Sequence, residues 1–206
     1  MSLFTGKGDN GTTYKFDSEK RFSKASLVTE ALGTLDELNS YLGLVKNEFI
    51  ELKNFDAVRN FQNSINVESG KDTSIDENEI DHFISQIKEI QENLFIIQAE
   101  IAGASKRIEM KKVQKMSDLI NQIEKELPPI KTFLISGGSK ISAMFDFART
   151  VARRAERRVV AVADKHEIEI SDGTLAYLNR LSSILYAWAR LYNHKFGINE
   201  ECPSYK

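Results

Sequence analysis

The chain has 206 residues, 41% of them hydrophobic and 28% charged, with a formal net charge of −2. That balance is too apolar for a wholly disordered protein, and it supplies no global positive field to hold nucleic acid or an anionic membrane. Cys202 is the single cysteine, so no intrachain disulfide is possible and a reducing cytoplasm is the expected compartment.

One domain spanning 1–206 is expected from the length. Residues 1–22 are rich in Gly and Thr, and Asn10-Gly11 is a turn signal, so this stretch reads as an ordered glycine-rich loop. From Ser26 to Phe49 the apolar residues Leu27, Ala31, Leu35, Leu38, Leu42 and Val45 recur at helical spacing. Residues 50–78 turn polar and are expected to form a long inserted loop, with a short helix near Phe55 to Phe61. The stripe Ile80, Phe83, Ile84, Ile87, Ile90, Leu94, Ile97 and Ile101 predicts a second long helix from Glu79 to Ala104.

A shorter helix is predicted from Lys112 to Glu126, stopped by Pro128 and Pro129. Lys131 to Ile135 is an extended apolar link into Ser136-Gly137-Gly138-Ser139, and Ser139 is suited to cap a long helix from Lys140 to Lys165. The last helix, Asp172 to His194, points Leu175, Leu178, Leu181, Leu185 and Trp188 to the core. The expected fold is all-α: a bundle of four long helices and one short one. No apolar run reaches the roughly 20 residues of a membrane span, and MSLFTGKGD has no signal-peptide or transit pattern.

The densest chemical signal is ARTVARRAERR. Arg149, Arg153 and Arg157 stand at i, i+4 and i+8, with Arg154 and Arg158 beside them and Glu156 the only acid in the stretch. Guanidinium groups bind phosphate oxygens bidentately and stay charged, so such a row suits a polyphosphate; taken alone, it reads first as a solvated helix face with a few exposed salt bridges. In FTGKGDNGTT, three glycines beside Lys7, Thr5, Thr12 and Thr13 allow backbone N–H groups to form an anion nest. It is not a P-loop, because GxxxxGK[ST] is absent. Asp36 and Glu37 sit among apolar neighbours on a predicted helix, either with a cationic partner, for which the arginine cluster is the natural source, or as an exposed acidic pair. Asn179 and Arg180 interrupt an apolar last helix, either as site residues or as ordinary surface ones. His82, His166 and His194 lack metal-ligand spacing, and there is neither a GxSxG elbow nor a Glu-x-x-His pair.

In order and spacing these segments resemble the PduO-type ATP:cob(I)alamin adenosyltransferase family. The likeness is carried by Phe4 to Thr13, Arg21 to Lys24, Glu30 to Asn39, Ile90 to Phe95, Phe133 to Gly138, Ala148 to Arg157 and Leu178 to Ser182, and extends over nearly the whole chain except residues 50–78. The resemblance implies a five-helix bundle assembled as a homotrimer that moves the 5′-deoxyadenosyl group of ATP onto cob(I)alamin. By the same likeness Thr5, Gly6, Lys7, Gly8, Thr13, Tyr14, Lys24, Arg157 and Asn179 would bind the nucleotide. Arg153, Arg154, Glu156 and Phe133 would serve the reaction, with Phe133 beside the lower face of the corrin. Asp36 and Arg149 would form an intersubunit ion pair, and Mg²⁺ would be held mainly through the ATP phosphates. The product would pass to an adenosylcobalamin-dependent enzyme.

The chain departs from the family pattern at five positions. Gly6 stands where Lys or Arg is usual, Ser136 replaces Pro, Asp146 replaces His, Ser183 replaces Asp, and Tyr186 replaces Phe. Most of these fall on the cobalamin side, which motivates a second expectation: an ATP- and cobalamin-binding sensor or escort with reduced catalysis. A third, a helical adaptor gripping nucleic acid, is disfavoured by the net charge and the glycine loop.

Overall fold

The computed structural model describes residues 4–14, 21–65, 76–165 and 168–205, with only the backbone given for 55–65. Five helices carry the architecture: α1 (Leu27–Ile65), α2 (Glu77–Ile101), α3 (Met110–Glu126), α4 (Lys140–Asp164) and α5 (Asp172–Lys195). They form an all-α bundle in which α1 packs on α2 and α4, α4 on α5, and α5 on α3. Before α1 the expected loop contains a small antiparallel hairpin, β1 (Thr12–Tyr14) with β2 (Arg21–Ser23), in register Thr13 opposite Phe22.

The predicted core stripes are buried, except that Leu27, Ile84 and Leu175 are partly buried against the core. Ala31, Leu35, Leu38, Leu42 and Val45 of α1 are fully buried, as are Ile80, Ile87, Leu94 and Ile97 of α2. Burying each such aliphatic side chain contributes about 1.5–3 kcal/mol. At one end of the bundle Phe49, Phe83, Phe145, Trp188 and Tyr192 gather, with ring centroids 5.0–6.1 Å apart in the contacting pairs.

One expectation is overturned. The first helix does not stop at Phe49 but runs on to Ile65, so residues 50–65 are helix rather than loop, and the short helix expected near Phe55 to Phe61 is part of it. No Gly or Pro occurs between Gly43 and Gly70, so nothing local ends the helix where its apolar stripe thins. Lys53 on this extension reaches Asp81 of α2 at 2.7 Å. Residues 66–75 of the expected insertion lie outside the described residues.

The entries to α4 and α5 matter most for the site. Ser139 caps α4, its side chain accepting from the Ser142 N–H at 3.1 Å. Ser171 caps α5 in the same way, accepting from the Thr174 N–H at 3.4 Å. Beneath it, the fully buried Glu100 accepts from the Ser171 N–H at 2.7 Å, from the Ser171 hydroxyl at 3.2 Å and from the Thr174 hydroxyl at 2.5 Å, and lies 3.2 Å from Arg107 Nε. A buried carboxylate so fully partnered anchors the helix start, whereas removing its partners would leave an uncompensated charge.

Gly173 fits this junction only because it lacks a side chain: a Cβ there would lie 2.1 Å from the backbone oxygen of Ile108. Gly173→Ala should cost about 2 kcal/mol through overpacking and lower the melting temperature by roughly 4–8 °C. Thermal unfolding followed by circular dichroism checks this, and an unchanged midpoint would mean that the two segments do not meet so closely.

Candidate active site

Helix α4 sorts its arginines by what lies opposite each. Ala148, Val151, Ala152, Ala155, Val159 and Val162 face the core. On the flank toward α1, Arg154 pairs with Glu37, and Arg158 Nε lies 3.4 Å from Glu30. Both pairs are about half exposed, so each is worth about 0.2–1 kcal/mol at most. Their importance is that they occupy two of the guanidinium groups. Among the described residues, Arg153 and Arg157 are exposed and make no ion pair or side-chain hydrogen bond. They are the cations of this helix left available to an anion.

Toward α5, Asn179 donates to Glu156 at 3.0 Å. Arg180 donates to Asn179 at 2.7 Å and to the Ser117 hydroxyl of α3 at 3.3 Å. Glu156, Asn179 and Arg180 therefore form one polar chain across three helices, with Asn179 and Arg180 themselves exposed.

The N-terminal loop is turned by Gly6 and Gly11, both in the left-handed region with φ of 67° and 74°. The Asp9 N–H donates to the Gly6 carbonyl at 3.2 Å and the Gly11 N–H to the Gly8 carbonyl at 3.1 Å. Arg21 staples this loop to its strand: it donates to the Thr12 hydroxyl at 2.5 Å, to the Thr12 carbonyl at 2.9 Å and to the Lys7 carbonyl, and its guanidinium lies 4.5 Å from the Tyr14 ring centroid. The Tyr14 ring is thus engaged by Arg21. The Lys24 ammonium lies where a side chain on Gly8 would point, 3.0 Å from an ideal Cβ. Lys7, Gly8 and Lys24 together offer backbone donors and two cations. Within one chain, however, no polar contact joins Thr5, Gly6, Lys7, Gly8 or Thr13 to Arg153 or Arg157 among the described residues.

Between the link 130–136 and helices α4 and α5 lies a cavity of about 420 Å³. Its apolar wall includes Ile130, Phe133, Leu134 and Ile135, and Phe133 is 79% exposed. Its polar side carries Asp146, Arg149, Arg153, Ser183 and Tyr186. The Arg149 guanidinium carbon sits 5.7 Å from the Tyr186 ring centroid, within cation–π range. Burial raises the Tyr186 phenol above its ordinary pKa.

The link is held in place by its surroundings. Asn193 donates to the Gly137 carbonyl at 2.8 Å and accepts from the Ser139 N–H at 3.0 Å. Gly138, at φ 103°, leaves room for that amide. The Ile135 N–H donates to the Glu201 carbonyl at 2.8 Å. Arg190, itself buried, donates to Glu200 at 2.9–3.2 Å and to the Pro128 carbonyl at 3.0 Å, joining α5, the C-terminal tail and the end of α3.

Several of the residues read from sequence therefore converge: Phe133, Arg149 and Arg153 share one cavity, and Glu156 meets Asn179. Others lie apart. Asp36 is exposed on α1, in a groove with Asn39, Lys46, Lys88 and Phe95, and the partner of Arg149 within the chain is Asp146 at 3.2 Å. Arg154 is engaged by Glu37 rather than free beside Arg153. Sequence reasoning missed the roles of Arg21, Arg190 and Glu200, whose partners lie across turns and leave no periodic signal. Among the described residues no group of three or more His, Cys, Asp or Glu side chains could hold a metal ion, and no helix is long and apolar enough to cross a membrane.

A sequence model of the family described as cobalamin adenosyltransferase matches residues 3–192. The corrinoid adenosyltransferase of Bacillus subtilis (strain 168) is 32% identical over 204 residues, covering 97% of this chain and 91% of that protein. The corrinoid adenosyltransferase PduO of Citrobacter freundii is 33% identical across 94% of this chain, which spans 50% of that longer protein. The fold is similar to that of a variant PduO-type ATP:corrinoid adenosyltransferase from Lactobacillus reuteri complexed with cobalamin and ATP, with a TM-score of 0.77, 23% identity, and coverage of 98% of this chain and 97% of that one. The chain belongs to the cobalamin adenosyltransferase family.

Proposed function

We propose that this protein transfers the 5′-deoxyadenosyl group of ATP to cob(I)alamin, giving adenosylcobalamin and triphosphate. The observation that carries the reading is the cavity itself: an apolar wall at Phe133 faces Arg149 and Arg153, and the arginine row continues from there to Arg157. One compartment thus suits a large apolar macrocycle, and the adjoining row suits a polyanion.

In the reaction the Co(I) electron pair attacks C5′ of ATP. A cobalt–carbon bond forms as the C5′–oxygen bond breaks, and triphosphate leaves with that bonding pair. The nucleophile belongs to the substrate, so the chain needs no activated Ser, Cys or His. Its task is to align C5′ with the cobalt and to stabilise charge on the leaving triphosphate. Arg153 and Arg157, which have no partner among the described residues, are assigned to the triphosphate together with Lys7, Lys24 and the backbone donors of the glycine loop. Glu156 and Asn179, held to each other at 3.0 Å, are assigned to the nucleoside side. Arg154 serves the site through its pairing with Glu37, as a positioning residue. Mg²⁺ would be carried by the ATP phosphates. Phe133 would exclude water and a lower ligand from the cobalt.

The functional unit we assign is a homotrimer in the cytoplasm, with each nucleotide site completed between two chains. Two features support it. Among the described residues the loop and the free arginines are not joined by polar contacts within one chain, and Leu44, Phe95 and Phe147 are each more than half exposed on α1, α2 and α4. Asp36 and Arg149 would then pair across the interface. The product would be handed to an adenosylcobalamin-dependent enzyme. A second reading, an ATP- and cobalamin-binding escort with little turnover, is favoured by the polar groups Asp146, Ser183 and Tyr186 on the cavity side opposite Phe133.

Chemically generated cob(I)alamin incubated with ATP, Mg²⁺ and the protein should yield the adenosylcobalamin absorbance spectrum over many turnovers. Binding of both substrates without turnover would select the escort reading instead. Arg153→Ala should lower kcat about 100-fold or more, as expected for removing one donor to a leaving group; a near-normal rate would remove Arg153 from the triphosphate. Light scattering in solution should give three times the chain mass, and a monomer would contradict the shared site.

A further inference from the structure

We propose that Asp146 is a positioning residue for the cobalamin side of the site, fixing the Arg149 guanidinium and the Gly137 turn with one carboxylate. This rests on the cavity being the cobalamin site. Asp146 is only 8% exposed and lines that cavity. Its two oxygens face two different donors: Oδ1 accepts from Arg149 Nε at 3.2 Å, and Oδ2 accepts from the Gly137 N–H at 3.3 Å. The Gly137 carbonyl is held in turn by the Asn193 amide at 2.8 Å and the Ser142 hydroxyl at 3.0 Å. Gly137 is thereby gripped at both its N–H and its C=O, and the wall segment ending at Ser136 is tied through Asp146 to the cation on the opposite side.

The chemistry calls for a carboxylate at this position. Two donors converge on it, and a carboxylate offers an acceptor to each, whereas an amide offers one acceptor and turns a donor toward the other. Arg149 uses only Nε on Asp146, and among the described residues no hydrogen bond occupies its terminal Nη nitrogens. With the Tyr186 ring on its flank, the guanidinium is held with that edge available. A free arginine side chain would lose much rotamer freedom on meeting a ligand; here that ordering is already supplied by the fold.

The test compares Asp146→Asn, Arg149→Gln and the double variant, with dissociation constants for ATP and for cob(II)alamin measured by calorimetry and KM values measured for cob(I)alamin and ATP. Each single change should weaken the corrinoid about 5-fold to 10-fold, as expected for a lost charge-assisted hydrogen bond; Asp146→Asn should leave the ATP constant within about 2-fold, whereas Arg149→Gln, which also removes the pair proposed with Asp36 of the neighbouring chain, should weaken ATP as well. The double variant should be no weaker than the worse single one, since both remove the same contact. Equal losses for ATP and corrinoid in Asp146→Asn, additive corrinoid losses in the double variant, or no corrinoid effect would overturn the proposal. If Asp146→Asn does not fold, Ser142→Ala, which removes the hydroxyl that holds the Gly137 carbonyl at 3.0 Å, decides by the same split between corrinoid and ATP. A wild-type protein that binds neither substrate would sink the functional reading instead. The geometry would then still be judged by the Arg149 Nε–H nuclear resonance, which should be protected from exchange in the wild type and unprotected in Asp146→Asn; an unprotected wild-type resonance counts against it.

Discussion

The site depends on how α4 is seated. Ala148, Ala152, Ala155, Val159 and Val162 are fully buried, and three of the five are alanines, so α4 lies close against its neighbours α1 and α5. Close packing of this kind leaves the helix little rotational freedom. Once it is set, each arginine has an assigned environment: Arg154 and Arg158 meet acids of α1, Arg149 enters the cavity beside α5, and Arg153 and Arg157 stand without protein partners among the described residues. The ring contact of Phe147 with Tyr41, at 4.7 Å between centroids, reinforces the same rotation on the α1 flank.

The other half of the site is held by polar clamps. The link from Pro128 to Ser139 has no regular secondary structure, so its backbone groups require partners from elsewhere. Arg190, Asn193, Asp146, Ser142 and the Glu201 carbonyl supply them. Because Asn193 occupies the space beside Gly138, the left-handed glycine is part of the clamp. The exposed Phe133 is thus carried on a segment fixed at both ends.

Much of this was legible in the residues, and the parts that were not have physical reasons. The apolar stripes located the core of α1, α2 and α5, Ser139 was recognised as the cap of α4, and the diproline marked the end of α3. The extension of α1 to Ile65 was not legible, because apolar periodicity reports burial, and a helix continues without it where no breaker intervenes. Periodicity also placed Arg149, Arg153 and Arg157 along one side of α4 but could not say which neighbouring arginines would find acids. That depended on Glu30 and Glu37, more than a hundred positions away. The clasp of Arg190 on Glu200 reaches across the turn after α5, which no local pattern encodes. Asp146 was visible only as an unusual residue type; its two donors emerge once the Gly137 turn is folded against α4.

The central claim is that the phosphate grip is shared: the glycine loop of one chain meets the free arginines of another. The most direct measurement is complementation between two inactive variants, Lys24→Ala in the loop and Arg153→Ala on α4, mixed and reassembled in equal amounts. If the halves come from different chains, random assembly restores intact sites at about a quarter of their number, and adenosyl transfer should recover to about that fraction of the wild-type rate. If loop and helix act within one chain, no assembly contains an intact site, and a mixture as inactive as its components would contradict the account.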